Sequence, residues 1–284
     1  MRSNVLFRRL LISGTCLWVA ILALVPYLIL LAASFLERGT DTLVHPGLTL
    51  ANYLNLLDPA IFGMAIDSIL LAAVAALLCL LVGYPFAHIL ARASARTQPL
   101  LLLLVMIPFW TNSLIRTYAL VMMLKADGVI NSLLLRAGLI EHPFNLLYTQ
   151  TAVFIGLVYT LLPFMILPLY ASLKAVDQRL LEAGRDLGAG RLQNFIRITL
   201  PLTMPGIIAG SMLVFLPSLG CFYIADILGG ARTMLLGNYI RDQFLVFRDI
   251  PMGAAASVTM TVVMGLMLLF YYLASRRSGR ELVQ

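Results

Sequence analysis

An all-α, polytopic membrane protein with about six transmembrane helices is the fold class this sequence predicts, and three observations predict it. The chain is 61% hydrophobic and only 12% charged, with a mean hydropathy of +0.95, far from the ~25% charged residues of ordinary globular domains. Several apolar runs reach the ~20 residues needed to cross a hydrocarbon core about 30 Å thick. The cations alternate in density from one inter-span loop to the next, which is the pattern of membrane orientation.

The expected spans are 10–36, 65–91, 100–124, 150–173, 204–228 and 253–275. The first follows a basic flank, MRSNVLFRRL, but runs too long for a signal peptide and lacks a clean small-residue cleavage site, so it is read as retained. The segment LTLANYLNLLDPAIF after it has a helical rhythm, which predicts an interfacial helix leading into span two. Six spans place both termini on one side. Thirteen Lys and Arg lie on that side, in the N-terminus, loops 92–99 and 174–203 and the C-terminus; six lie opposite and Arg116 is inside a span. That assigns both termini and the 174–203 loop to the cytoplasm. No soluble domain, low-complexity linker or internal repeat interrupts 1–284, so a single membrane domain is expected.

The net charge of +7 does not point to nucleic acid, because the cations are scattered over loops with no basic stripe interleaved with aromatics. Cys16, Cys79 and Cys221 sit in apolar runs and read as small hydrophobes. The two lysines, Lys125 and Lys174, each follow a leucine, so no phosphate-cradling G-x-x-x-x-G-K-[ST] loop exists and the chain is no P-loop ATPase. His45, His88 and His142 lack the partners a zinc site needs, and no G-x-S-x-G elbow occurs. A catalytic constellation is therefore not expected.

Charge is instead concentrated in EAGRDLGAGRLQNFIRITLP, 182–201. Leu180, Ala183, Gly184 and Leu187 recur at i, i+3, i+4 and i+7, an apolar stripe too small for a core and suited to docking. Arg179, Glu182 and Asp186 share another face. Gly188 is placed to end this helix by taking positive φ. A second helical run over 192–199 is expected to stop near Pro201, with Pro205 opening span five. On composition alone the loop could equally be a solvated connector.

The spacing Glu182-Ala183-Gly184, three residues, Gly188, nine residues, Ile198-x-Leu200-Pro201 resembles the E-A-A-x3-G-x9-I-x-L-P signature of permease subunits of bacterial ABC importers. Only the third alanine differs, replaced by Gly184. The segments LLDPAIF, PFWTNSLIRTYAL, IGLVYTLLPFMILPLY, EAGRDLGA, IRITLPLTMPGIIAG, FYIADILGGA and VMGLMLL extend the resemblance over nearly the whole chain, to the first permease subunit of spermidine/putrescine ABC transporters. The resemblance implies the ABC importer permease fold in a bacterial inner membrane. It implies as partners a second homologous permease, two ATPase subunits and a periplasmic polyamine-binding protein. No cofactor is expected on this chain, ATP and Mg belonging to the ATPase. By the same resemblance Glu182, Ala183, Gly184 and Gly188, with Leu180, Leu187, Ile198, Leu200 and Pro201, form the loop that couples to the ATPase. The alternatives are a permease of an ABC importer for another small solute, such as an anion or a sugar, and, as the rival class, a self-sufficient secondary transporter, which has no need of such a loop.

Four features remain. Gly206 and Gly210 form a G-x-x-x-G that lets another helix approach, expected near the permease–permease interface. Asp67 reads as a favourable charge at the start of span two, and Arg116 as a side chain snorkelling to the interface. Asp226, with Tyr223 and Trp110, has the carboxylate-plus-aromatic chemistry that a polyamine route requires; the two aromatics are equally consistent with an interfacial belt.

Overall fold

A computed structural model describes residues 2–39, 44–230 and 234–281. Among them six helical stretches are long and apolar enough to cross a membrane: Leu11–Ser34, Pro59–Arg92, Ser113–Arg136, Gln150–Ala175, Arg191–Gly220 and Ile250–Leu273. The chain divides into two compact units, residues 1–62 with 239–265, and residues 63–238 with 266–284.

In the first unit, α1 (Arg2–Ser34) leaves Leu17, Trp18, Val19 and Leu24 exposed on different sides, the all-round apolar surface expected of a membrane-spanning helix. Cys16 is exposed there as well. A short antiparallel ladder joins β1 (Leu36–Glu37) to β2 (His45–Leu48). Within the segment expected to be interfacial, 48–62, a five-residue helix, α2 (Ala51–Asn55), forms ahead of the long helix that starts at Pro59. Buried Asn52 fastens α2, its amide donating to the Ser34 and Leu36 carbonyls at 3.0 and 2.9 Å. Tyr53 adds a 2.7 Å bond to the Ser34 hydroxyl. Leu56, Met252, Ala255 and Ala256 form the buried cluster of this unit, and Arg38 pairs with Asp249 at 3.3 Å.

Helix α3 (Pro59–Arg92) begins earlier than the sequence suggested. Asp58 accepts from the Ala60 N–H at 2.8 Å and Pro59 suits a first turn, where its missing N–H is not needed. Asp67 therefore lies two turns inside the helix and is not its terminal charge.

The core of the second unit is built on α7 (Gln150–Ala175), whose buried residues include Val153, Leu157, Leu161, Met165, Ile166 and Leu169. Its principal neighbour is α10 (Leu200–Gly220). A Cβ on Gly210 would meet the Met165 Sδ at 2.8 Å, and one on Gly83 of α3 would meet the Met165 Cγ at 3.0 Å. A Cβ on Gly206 would meet Ser172 and the Pro168 carbonyl, the latter at 2.8 Å. The G-x-x-x-G thus serves close approach of α10 to α7 within this unit, both glycines lying against residues of α7.

Two further expectations change. No continuous helix spans 100–124: α4 (Gln98–Met106) runs into a 3-10 turn at Ile107–Trp110, and α5 (Ser113–Leu124) starts afresh, followed by α6 (Val129–Arg136). Pro108 lies in the 3-10 turn, Thr111 is extended, and the Asn112 side chain caps α5 by accepting from the Leu114 N–H at 2.8 Å. The run after Gly190 does not stop at Pro201. Helix α9 (Arg191–Asn194) continues through a π-turn at Phe195–Thr199 directly into α10, so Pro205 is interior. Pro201 has no N–H to close an α-type bond. The wider turn before it, in which the Leu200 N–H reaches the Phe195 carbonyl, keeps the helix continuous.

Candidate functional site

Helix α8 (Gln178–Asp186) is opened by Asp177, whose side chain accepts from the Arg179 N–H at 2.9 Å. It closes in a Schellman motif: the Gly188 N–H donates to the Arg185 carbonyl at 2.8 Å and the Ala189 N–H to the Gly184 carbonyl at 3.0 Å. Gly188 has φ = +83°, a conformation open to glycine at little cost. The chain then turns into α9.

The apolar stripe on α8 is divided between two jobs. Leu181, which lies outside the 180, 183, 184 and 187 spacing, is 5% exposed, and Gly184 is buried beside it. A Cβ at Gly184 would strike the Asn194 Oδ1 and stand 2.8 Å from the Ile198 Cδ1. Buried Asn194 also donates to the Leu181 carbonyl at 2.9 Å. So Gly184 belongs to the contact with the following helix and not to an outward docking stripe. Leu180 and Leu187 remain 48% and 89% exposed, and Glu182 and Ala183 are exposed between them. Ile198, Leu200 and Pro201 are half-buried where the π-turn enters α10. Tyr84 of α3 reaches this region, its hydroxyl 3.0 Å from the Thr203 Oγ1 and its ring edge-on to Phe195. An exposed leucine-glutamate face is in this way held on a loop whose inner side is tied to two spans.

At the other end of α10, helix α11 (Phe222–Ile224) and a π-turn at Ala225–Gly229 carry Tyr223 and Asp226. Both are half-buried. The Asn238 amide, at the start of α12 (Leu236–Leu245), donates to the Asp226 carboxylate, and Asn238 accepts from the Leu235 N–H at 3.3 Å. This fastening was not legible in the sequence, since twelve residues separate the partners. Trp110, at the end of the 3-10 turn, is 77% exposed; among the described residues it makes no ring contact, whereas Tyr223 meets Phe222 at a 6.5 Å centroid distance. Helix α5 packs against both α7 and the Asp226 turn. On it, Arg116 does not snorkel outward. Its guanidinium carbon lies 5.8 Å from the centre of the Tyr159 ring, with Nε and Nη1 buried and without a hydrogen-bond partner among the described residues. Asp67 opens onto a cavity of about 530 Å³, with Leu70, Val74, Tyr148 and Phe154 as walls.

Residues 80–280 match the family model of the binding-protein-dependent transport system inner membrane component. The chain is 52% identical over 264 residues to the spermidine/putrescine transport system permease protein PotB of Escherichia coli (strain K12), covering 93% of this chain and 96% of that protein. It is 46% identical to the PotB protein of Haemophilus influenzae, over 97% and 96% of the two chains. A chain of a bacterial alginate ABC transporter, crystallised in complex with an alginate pentasaccharide-bound periplasmic protein, superposes with a TM-score of 0.77 at 19% identity, over 97% of this chain and 95% of that one. At that identity the likeness speaks for the fold. Taken with the six apolar helices and the helix-glycine-helix loop, these matches establish that the chain belongs to the family of inner-membrane components of binding-protein-dependent transport systems.

Proposed function

We propose that this chain is a permease subunit of an ATP-driven importer that carries spermidine and putrescine from the periplasm to the cytoplasm. The observation that carries the reading is near-full-length identity of about half to proteins named for that transport. The chain would work with a second homologous permease, two ATPase subunits that hold ATP and Mg, and a periplasmic polyamine-binding protein. Both termini and the α8 loop face the cytoplasm on the charge asymmetry.

In this reading Leu180 and Leu187 pack into a cleft of the ATPase, while Glu182 sets the register through an ion pair. An exposed pair contributes only about 0–1 kcal/mol, so the mechanical link rests on the leucines. The motion reaches α10 through the contact of Gly184 with Asn194 and the unbroken π-turn.

A polyamine carries two to four positive charges on an alkyl chain, so its route needs carboxylates for the ammonium groups, with aromatic faces each contributing about 0.5–2 kcal/mol. Asp226 receives the cation, and Tyr223 and Trp110 line the way. The Asn238 amide holds the carboxylate in place. The Asp67 cavity, with its aromatic and aliphatic walls, has the same chemistry and is a second place for the cation to pause.

Uptake of labelled putrescine and spermidine by Asp226→Asn and Tyr223→Ala in the assembled transporter tests the path. Import should fall at least several-fold in both with assembly intact. Unchanged import in both would remove these residues from the path.

A further inference from the structure

We infer that the second unit contains a site for a phosphate-bearing anion, supplied by an acidic phospholipid headgroup, between the C-terminal end of α3 and the α8–α9 pair. A cavity of about 460 Å³ lies there, lined by His88, Arg92, Arg185, Arg191, Asn194 and Thr199 among others. Three exposed arginines and a half-buried histidine line it, and no carboxylate does. Arg38 pairs with Asp249 and Arg241 with Asp242, whereas Arg92, Arg185 and Arg191 make no ion pair among the described residues. Asp177, the acid at the start of α8, is occupied in capping it. Like charges around one cavity raise one another's energy, and an anion between them reverses the sign. The planar guanidinium fork suits phosphate oxygens in particular.

The position of the cavity selects the source of the phosphate. Arg92 is the last residue of one apolar span and Arg191 the first of another, so the pocket lies where two spans leave the hydrocarbon, at headgroup depth. Phe86 and Ile89 on α3 and Ile196 in the π-turn are exposed apolar side chains close in sequence to the lining residues, a surface for acyl chains that free phosphate would not use. Lys174 is held at the same end of α3: its Nζ donates to the Gln98 Oε1 at 3.2 Å, and Gln98 donates to the Leu90 carbonyl at 3.0 Å. A headgroup in the pocket joins α3 to both helices of the loop and so stiffens the element that the proposed function assigns to coupling. The site itself does not depend on that reading.

The test uses the whole transporter, purified in detergent and titrated with cardiolipin, phosphatidylglycerol or phosphatidylcholine, with bound lipid read by native mass spectrometry in the absence of nucleotide and polyamine. Wild type should retain the acidic lipids in preference to phosphatidylcholine. The Arg92→Gln/Arg191→Gln variant should bind them at least tenfold more weakly, and Arg92→Lys should keep most of the binding. If the double variant fails to assemble, a rise in the thermal midpoint of wild type on adding cardiolipin, lost in Arg92→Gln alone, gives the same reading. Equal retention in wild type and variants overturns the site. Full displacement of the lipid by inorganic phosphate alone overturns the lipid in favour of a free anion. Retention only when the ATPase subunits are removed also overturns it, since the partner protein would then fill the pocket.

Discussion

Gly184 stands where the family signature has alanine, and its neighbours give the reason. The Asn194 Oδ1 and the Ile198 Cδ1 both stand closer than van der Waals contact to where a Cβ on Gly184 would sit, so an added methyl must displace both side-chain ends. Overpacking of this kind costs about 1–3 kcal/mol, against the ~1 kcal/mol by which alanine favours a helix over glycine. Gly184→Ala should therefore lower the thermal midpoint of the purified transporter. Its effect and that of Asn194→Ser should be non-additive, because the two positions share one contact. Additive effects in a double-mutant cycle would contradict this packing. Asn238 is a second case. It is buried and links Asp226 to the Leu235 backbone, so Asn238→Ala leaves those groups without their amide at a cost of about 1–3 kcal/mol. Lower stability together with reduced polyamine uptake is expected, and uptake unchanged at full stability would show that the position of Asp226 is not controlled from Asn238.

At the scale of elements, the α8 loop combines a stiff inner face with an exposed outer one, and the two respond differently to substitution. Gly188→Val places a β-branched residue at φ = +83°, where the left-handed conformation costs about 1–2 kcal/mol. The turn should distort and transport should fall. Leu187→Asp changes a side chain that is 89% exposed, so thermal stability of the isolated chain should be unchanged while polyamine-stimulated ATP hydrolysis by the assembled transporter drops. A loss of stability in Leu187→Asp would mean that the leucine packs within the chain. On α10, Gly206→Val forces a branched side chain into the Pro168 carbonyl and Ser172. It should destabilise the α7–α10 pair by several kcal/mol, seen as loss of the folded protein from the membrane fraction.

For the whole molecule the charge asymmetry sets an expected orientation. Of the cations, thirteen lie on the side that the six-span reading makes cytoplasmic and six on the other. In a chain freed of Cys16, Cys79 and Cys221, single cysteines near Arg191 and in the 92–99 loop should react with an impermeant maleimide only from the cytoplasmic face, and one near Gly47 only from outside. A corresponding probe near Arg232 lies outside the described residues. Labelling of the Arg191 position from outside would reverse the topology and move the α8 loop away from any ATPase.

Fold class, the number of spans and the helix-glycine-helix loop were legible in the sequence because each depends on local quantities: hydrocarbon thickness sets run length, and a turn at positive φ selects glycine. Residue spacing was also enough to locate the loop signature, with Glu182, Gly188, Ile198 and Pro201 in register. What packing decided could not be read in that way. The G-x-x-x-G faces α7 because Met165, some forty residues earlier, fills the space beside it. The stripe on α8 divides because Asn194, across a turn, takes up Leu181 and Gly184. The third span breaks at Asn112 because a side-chain cap starts a new helix where hydropathy saw one run. Arg116 turns inward over Tyr159, and three arginines from different elements line one cavity. Hydropathy and periodicity describe one helix at a time, whereas which face meets which neighbour follows from the volumes and charges of residues distant in sequence, and only the tertiary structure brings those together.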